Sequence, residues 1–208
     1  MVTDKWLKKD PELANKIDKS VFPWLQWWPH DHQTFAIAVA LWEALKPEFI
    51  ESNKKIVKNA KFLAWELINY WFDLISGWTD NHLILINVWK WRWIFMQDAL
   101  DTAWITLNKN TIPKEPFSPF YPSGIRLGTP SLTTRGMKED EMKLIANIIS
   151  EIIKLVAVHE MSNDKIERIQ KIKDFKIWLK ENKRIKEIQK DVKELATKFP
   201  IYPGYNLE

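Results

Sequence analysis

Glycine is scarce in this chain and tryptophan is abundant. The 208 residues include 5 Gly and 13 Trp, whereas glycine ordinarily makes up roughly 7% of a protein and tryptophan is rare. Because glycine takes left-handed backbone conformations without strain, a chain that lacks it has few positions for tight turns and close backbone contacts. The stretch VFPWLQWWPHDH (21–32) shows the problem most clearly, with three Trp and two Pro where neither a helical nor a strand pattern is visible.

The remaining composition is that of a folded protein. Hydrophobic residues make up 46% and charged residues 28% of the chain, which is enough for a hydrophobic core. The absence of Cys excludes disulfides and thiolate metal sites, and it fits a reducing compartment. The first ten residues, MVTDKWLKKD, are polar, and the most apolar run, 35–45, is too short to cross a bilayer. These features predict a cytoplasmic protein without a membrane segment.

The net charge of +4 is concentrated in residues 165–194, where 11 Lys/Arg stand against 6 Asp/Glu. Apolar residues recur there at helical spacing, at Ile166, Ile169, Ile172 and Phe175. This pattern predicts an amphipathic helix with a charged face. Since charged helix faces are usually only hydrated, we expect neither nucleic acid nor a membrane as a partner.

Periodicity and turn residues predict an α/β chain. The first helix is expected to be capped by Asp10 and to start at Pro11. Helices are expected at about 10–20, 31–45, 47–70, 94–103 and 137–158, with two more between 163 and 198. Strands are expected at 72–76, 83–88, 105–107 and 125–128, and the proline-rich 108–124 as an irregular loop.

The four histidines do not form a metal-binding motif. His30 and His32 are two residues apart, which points them to different faces of a helix, and only His82 and His159 remain. The sequence also contains no GxSxG, P-loop or GxGxxG pattern. The residues alone therefore predict an α/β domain without a metal site.

A long part of the chain resembles serine hydroxymethyltransferase. Residues 108–142 read NKNTIPKEPFSPFYPSGIRLGTPSLTTRGMKEDEM, which is similar to the C-terminal region of that family. The likeness extends to other stretches: SGWTDNHLILI (76–86), VKNAKFLA (57–64), ALWEALKPEF (40–49), VFPWLQWWPHDH (21–32) and KELATKFPIY (193–202). Around 158–186 this chain is longer than the family pattern.

The resemblance implies the C-terminal part of a pyridoxal-phosphate enzyme with the aspartate-aminotransferase-like fold (fold type I). Such an enzyme moves a one-carbon unit between serine and tetrahydrofolate, and the cofactor serves as the electron sink. Residues 1–50 would be the end of the large cofactor-binding domain with the connecting helix, and 51–208 the C-terminal small domain. The family's Schiff-base lysine would lie before Met1, so we expect no catalytic lysine in this chain and no activity from the chain alone.

The resemblance also gives roles to three residues. Arg126, in SGIR, would bind the amino-acid carboxylate, to which a planar guanidinium makes two parallel charge-assisted hydrogen bonds. Asn110, in NKN, would contact the pterin of folate. Trp28 stands at a family glycine whose backbone N–H would bind the cofactor phosphate of a neighbouring subunit, so a homodimer or homotetramer is expected. From the residues alone, Arg126 could equally be a surface arginine paired with an acid, and Asn110 a turn residue.

Several tryptophans stand where the family has glycine, namely Trp24, Trp27, Trp28, Trp71, Trp78 and Trp104. One explanation is that their codons are UGA, which a few bacterial lineages read as glycine. Another is a degenerate paralogue whose cofactor site is blocked by indoles, and a third is a noncatalytic binding module with a Trp-rich surface loop. The need for glycine beside an anion or in left-handed backbone favours the first. It predicts that Trp24, Trp27, Trp28 and Trp78 are crowded or pushed into solvent near the expected cofactor cleft, with no compact aromatic core of their own.

Overall fold

The computed structural model describes residues 4–88, 93–115, 122–159, 162 and 164–202. The chain divides into two compact units, Met1–Phe49 and Ile50–Glu208. The assignment of 1–50 and 51–208 to the large and small domains of a longer enzyme stays a prediction.

The first unit consists of short helices. They are α1 (Asp4–Leu7), α2 (Leu13–Lys19), α3 (Asp31–Ala44) and the start of α4 (Pro47–Asn69), with an irregular turn at Ser20–Leu25 between α2 and α3. In that turn the Phe22–Pro23 peptide bond is cis. Phe22 has extended backbone, so the stretch after α2 is not a regular helix. The prediction that Asp10 caps the first helix is wrong, because Asp10 accepts hydrogen bonds in a preceding turn, from the N–H of Glu12 at 3.1 Å and from Lys16 Nζ at 2.7 Å. The predicted interruption at Pro47 is confirmed, since α4 begins at that residue, where no N–H is needed.

Apolar side chains surround α3 on all sides, yet none of them is buried. Phe35, Ile37, Leu41 and Trp42 are all exposed, and no residue of α1, α2 or α3 is buried. A helix that is apolar on every side is normally found in the interior of a protein. The described part of the first unit therefore has no hydrophobic core of its own.

The second unit is built around a four-stranded antiparallel sheet. Its strands are β1 (Asp73–Leu74), β2 (Leu83–Asn87), β3 (Asn108–Asn110) and β4 (Gly124–Gly128), in the spatial order β1-β2-β4-β3. Its helices are the rest of α4, α5 (Trp93–Thr102), α6 (Pro130–Thr134), α7 (Glu139–Val156), α8 (Lys165–Glu181) and α9 (Lys183–Lys198). The mixed helix and sheet composition agrees with the predicted α/β class.

One face of the sheet forms the core, and the other is open. Ile84 pairs with Leu127, and Ile86 pairs with Ile125, and all four side chains are buried. Helices α4, α5, α7, α8 and α9 contribute further large buried side chains, among them Leu67, Phe95 and Ile149. Each such burial stabilises the fold by roughly 1.5–3 kcal/mol. Because side chains alternate along a strand, the residues between these positions lie on the opposite, open face.

The third strand lies three residues later than predicted, at Asn108–Asn110 instead of 105–107. The N–H of Ile105 donates to the carbonyl of Leu100 at 2.8 Å, which closes the end of α5 instead of joining a sheet. The polar NKN sequence pairs with β4, so part of the predicted loop is a strand.

Helix α8 follows the predicted amphipathic pattern only in its second half. Phe175 and Leu179 are buried, whereas Ile166 is 80% exposed and Ile169 is 47% exposed. The predicted apolar stripe is therefore wrong at its first two positions. Among the helices of the described residues, none has the length and apolar character required to span a membrane.

Candidate functional site

A cavity of about 650 Å³ lies beside the sheet in the second unit. Its wall is largely apolar, with Leu63 from α4, Leu127 from β4 and Ile149 from α7. Polar side chains line the rest of the wall, among them His82, Asn108, Arg126 and Arg135. An apolar cavity with a few polar groups is the usual form of a small-molecule site.

Arg126 lies at the centre of β4, between Leu85 on β2 and Asn108 on β3. Its side chain is exposed on the open face of the sheet. Its guanidinium forms no ion pair or hydrogen bond with any residue that the structure describes. Within that part of the chain it is not a surface arginine paired with an acid, and its donors are available to an anion.

Arg135, the other arginine of the cavity wall, is already engaged. Its Nε donates to the carbonyl of Phe199 at 2.6 Å, and its terminal nitrogen donates to the carbonyl of Ala196. These carbonyls belong to the C-terminal end of α9 and the residue after it, where cationic side chains commonly bind. Arg135 therefore holds α9 in place, and Arg126 is the arginine of this wall with free donors.

Asn110 lies on β3 opposite Gly124, on the same open face as Arg126. Its Nδ2 donates to the carbonyl of Thr111 at 2.6 Å, which leaves Oδ1 as an acceptor. Sequence reasoning missed Asn108, which is directly opposite Arg126 in the register. The signal was the two-residue spacing of the asparagines in NKN, which places both on one face once the segment is a strand.

Gly124 brings β3 and β4 into close contact. A Cβ at this position would lie 2.8 Å from the carbonyl oxygen of Asn110 and 2.8 Å from Cγ2 of Ile112. No side chain fits at these distances, so glycine is required here. The glycine of SGIR thus sets the spacing at which Asn110 and Arg126 face the same side.

Trp28 belongs to the first unit, where it lines a shallow cavity of about 360 Å³ with Trp27, Pro29 and His30. Its indole is 75% exposed. Its backbone N–H makes no hydrogen bond within the described chain, so this donor is available to an anion. The structure brings Arg126 and Asn110 together in the second unit. Trp28 lies in the other unit, and its role stays a prediction.

The tryptophans predicted to stand at family glycine positions face solvent. Trp24, Trp27, Trp28 and Trp78 are all exposed, as predicted, and in the described part of the chain Trp27 stacks on Phe22 with ring centroids 5.9 Å apart. Their predicted place near a cofactor cleft stays a prediction. None of these four residues has a positive φ, so left-handed backbone is not the reason for glycine at their positions.

Left-handed backbone occurs instead at Trp71, with φ 67°, and Trp104, with φ 64°. Each follows the end of a helix, α4 and α5 respectively, and each end has the two hydrogen bonds of a Schellman motif. At α4, the N–H of Trp71 donates to Ile68 at 2.8 Å and that of Phe72 donates to Leu67 at 3.1 Å. This is the position where helices most often carry glycine.

Gly136 occupies the same place after α6, with φ 91°. The N–H of Gly136 donates to Thr133 at 2.9 Å, and that of Met137 donates to Leu132 at 3.1 Å. Among the described residues, three helix ends therefore share this geometry: one carries glycine and two carry tryptophan. Bulky residues in left-handed backbone are strained.

Two other features limit what the site can be. Within the described ranges no three His, Asp or Glu side chains are grouped closely enough to hold a metal ion. His82 lines the cavity near Arg126, but it is a single imidazole. The described polar groups of this site are therefore suited to binding anions and amide-like groups.

The fold and the cavity define a small α/β domain with an antiparallel sheet, whose open face carries a free guanidinium beside two asparagines. The model of the family "Serine hydroxymethyltransferase" matches residues 2–149 of this chain. A serine hydroxymethyltransferase of Acidothermus cellulolyticus is 51% identical over 154 residues, which are 73% of this chain and 36% of that relative. The chain belongs to the serine hydroxymethyltransferase family, whose members are fold type I pyridoxal-phosphate enzymes.

Two consequences follow from the extent of these matches. The chain spans only about a third of the length of that relative, with 36% covered. The family match ends within α7, so helices α8 and α9 lie outside it. Family membership does not favour the alternatives of a noncatalytic degenerate paralogue or a binding module.

Proposed function

We propose that this chain is the C-terminal part of a serine hydroxymethyltransferase, and that Arg126 binds the carboxylate of serine or glycine. The enzyme would interconvert these amino acids and transfer the one-carbon unit to tetrahydrofolate. The observation that supports this proposal is the unpaired guanidinium of Arg126 within SGIR, on the open face of a sheet that lies in the family match. A guanidinium can hold a carboxylate by two parallel hydrogen bonds, which fixes its orientation as well as its position.

The asparagines beside Arg126 suit the second substrate. Asn108 and Asn110 present amide groups on the same face, and Asn110 keeps Oδ1 free as an acceptor. A pterin ring has donors and acceptors along its edge, and an amide can match both. We propose that Asn110 contacts the pterin and that Asn108 lies alongside Arg126 as a further polar contact.

Pyridoxal 5'-phosphate, when bound, would supply the electron sink for breaking bonds at the amino-acid α-carbon. In this chain we propose that the backbone N–H of Trp28 donates to the cofactor phosphate held by a neighbouring subunit of a homodimer or homotetramer. The Schiff-base lysine is proposed to lie on a part of the enzyme outside these 208 residues. The chain alone is then expected to lack activity.

A chimaeric enzyme tests the proposal. The 208 residues replace the matching stretch of the Acidothermus cellulolyticus relative, with glycine at 24, 27, 28, 71, 78 and 104, and serine cleavage is measured with tetrahydrofolate. Arg126→Lys should lower kcat/KM for serine by roughly 30- to 1000-fold, because an ammonium cannot make the two parallel contacts and losing a charged pair costs about 2–4 kcal/mol. The control is Lys143→Gln, which changes an exposed lysine on α7. An Arg126→Lys enzyme with unchanged kcat/KM would contradict the role of Arg126.

A further inference from the structure

The carboxylate of Glu115 joins the two ends of the segment between β3 and β4. Its Oε2 accepts hydrogen bonds from the N–H of Ile112 at 3.1 Å and from the N–H of Ser123 at 2.9 Å. Its Oε1 accepts a hydrogen bond from the hydroxyl of Ser123 at 2.6 Å. One side chain therefore holds residues that are eleven positions apart in sequence, from 112 to 123.

This contact lies at the point where the strand ladder ends. The last pair of the ladder is Asn110 with Gly124, and beyond it the N–H groups of Ile112 and Ser123 have no strand partner. Buried polar groups need hydrogen-bond partners, and Ser123 is completely buried. The two oxygens of Glu115 meet that need, so the carboxylate extends the connection between the strands past the last backbone pair.

The local backbone directs Glu115 to this position. Lys114 is left-handed, with φ 58°, and the chain turns at Pro113 and Lys114 so that Glu115 reaches back to Ile112. A carboxylate is the side chain that suits the place, because each of its oxygens accepts more than one hydrogen bond. A glutamine of the same shape has only one acceptor oxygen, and its NH₂ group would lie against a hydrogen-bond donor of Ile112 or Ser123.

The bound residue Ser123 immediately precedes Gly124, the residue with no room for a side chain. From Gly124 the strand continues to Arg126, which faces Asn108 in the register. A strand that slips by one residue turns every side chain to the other face. Fixing the start of β4 therefore fixes which face the guanidinium of Arg126 presents.

We infer that Glu115 is a positioning residue for carboxylate binding by Arg126. It acts through Ser123 and the first residues of β4, and it does not touch the substrate. This inference rests on the proposed function, because the quantity that Glu115 would control is the affinity of Arg126 for an amino-acid carboxylate.

The test uses the same chimaeric enzyme with serine as the varied substrate. Glu115→Gln should raise the KM for serine at least about fivefold and change kcat by less than about twofold, since the loss affects substrate binding first. Ser123→Ala removes only the hydroxyl contact and should produce a smaller rise in KM. Glu194→Gln, an exposed glutamate on α9, is the matched control and should change neither constant.

Four results would overturn the inference, and they separate it from the proposed function. If Arg126→Lys raises KM and Glu115→Gln does not, Glu115 has no positioning role while the role of Arg126 stands. If Glu115→Gln lowers only the melting temperature and leaves KM unchanged, its role is structural. If Arg126→Lys itself leaves KM unchanged, both proposals fail. Should Glu115→Gln fail to fold, an unchanged KM in Ser123→Ala decides against the inference, and a raised KM supports it.

Discussion

Replacing Trp71 with glycine should stabilise the second unit. Trp71 is left-handed at the end of α4, and its side chain is 92% exposed, so glycine relieves strain while little buried surface is lost. Left-handed backbone costs a bulky residue about 1–2 kcal/mol, which glycine avoids. Glycine also has more conformational freedom in the unfolded chain, and this offsets about 0.5–1 kcal/mol of the gain. The expected net gain in the free energy of unfolding is therefore about 1 kcal/mol, or a rise in melting temperature of about 2–4 °C.

The same substitution elsewhere provides the control. Trp65 lies inside α4 and is 50% exposed, so Trp65→Gly makes the identical chemical change in right-handed helical backbone. It should destabilise the protein by about 1–3 kcal/mol, because glycine is a poor helix former and the half-buried indole loses its contact with Phe62. Gly136→Ala makes the reverse change at a helix end of the same geometry and should also destabilise by about 1 kcal/mol.

Urea unfolding of the full chain, followed by far-ultraviolet circular dichroism, measures all three variants against the unchanged chain. If left-handed backbone strains Trp71, then Trp71→Gly should raise the free energy of unfolding and Trp65→Gly should lower it. If both destabilise by similar amounts, the left-handed backbone at Trp71 carries no strain, and the physical argument for glycine at this position is wrong. Trp104→Gly should give a smaller gain than Trp71→Gly, since the Trp104 side chain is only 56% exposed and lines the cavity.

Three further outcomes are expected. Gly124→Ala should destabilise the unit by about 1–3 kcal/mol, because its Cβ would meet backbone at 2.8 Å, whereas Gly128→Ala meets nothing closer than 3.5 Å and should be nearly neutral in the same urea assay. Burial among Phe95, Phe175 and Trp178 lowers the pKa of His159 below its ordinary value of 6.5, so the free energy of unfolding should fall as the pH drops below that value. His159→Gln should weaken this pH dependence of stability, and an equal dependence in both proteins would contradict the explanation. The protein from its own cells should carry glycine at 24, 27, 28, 71, 78 and 104 by peptide mass spectrometry, and tryptophan there, or UGG codons in the gene, would show that the decoding explanation is wrong.

Local sequence signals predicted most helices and the core strands. Pro47 marks a helix start because it lacks an N–H, and the alternation of Ile84 and Ile86 marks a half-buried strand. β3 could not be predicted in the same way, because NKN has no apolar residue and becomes a strand only by pairing with β4. Ile166 was predicted to belong to the apolar stripe of α8 but is exposed, because helical spacing does not show whether a neighbouring element covers that face.

The candidate site was only partly predictable for the same reason. Arg126 and Asn110 could be chosen from SGIR and NKN, but their shared face depends on strand register, which is set by contacts between distant residues. The contact of Glu115 with Ser123 spans a stretch that reads as an irregular loop, so neither residue stood out. The left-handed backbone at Trp71 could be expected from the resemblance, and the structure supplies the physical reason at the end of α4.

A crystal structure of the chimaeric enzyme with pyridoxal phosphate and glycine would test the central proposal most directly. The proposal predicts that two nitrogens of the Arg126 guanidinium lie about 2.7–2.9 Å from the two carboxylate oxygens of the bound glycine. The side chains of Asn108 and Asn110 should lie on the same side of the sheet as the ligand. A glycine carboxylate bound by other residues, with Arg126 facing solvent, would contradict the proposed function.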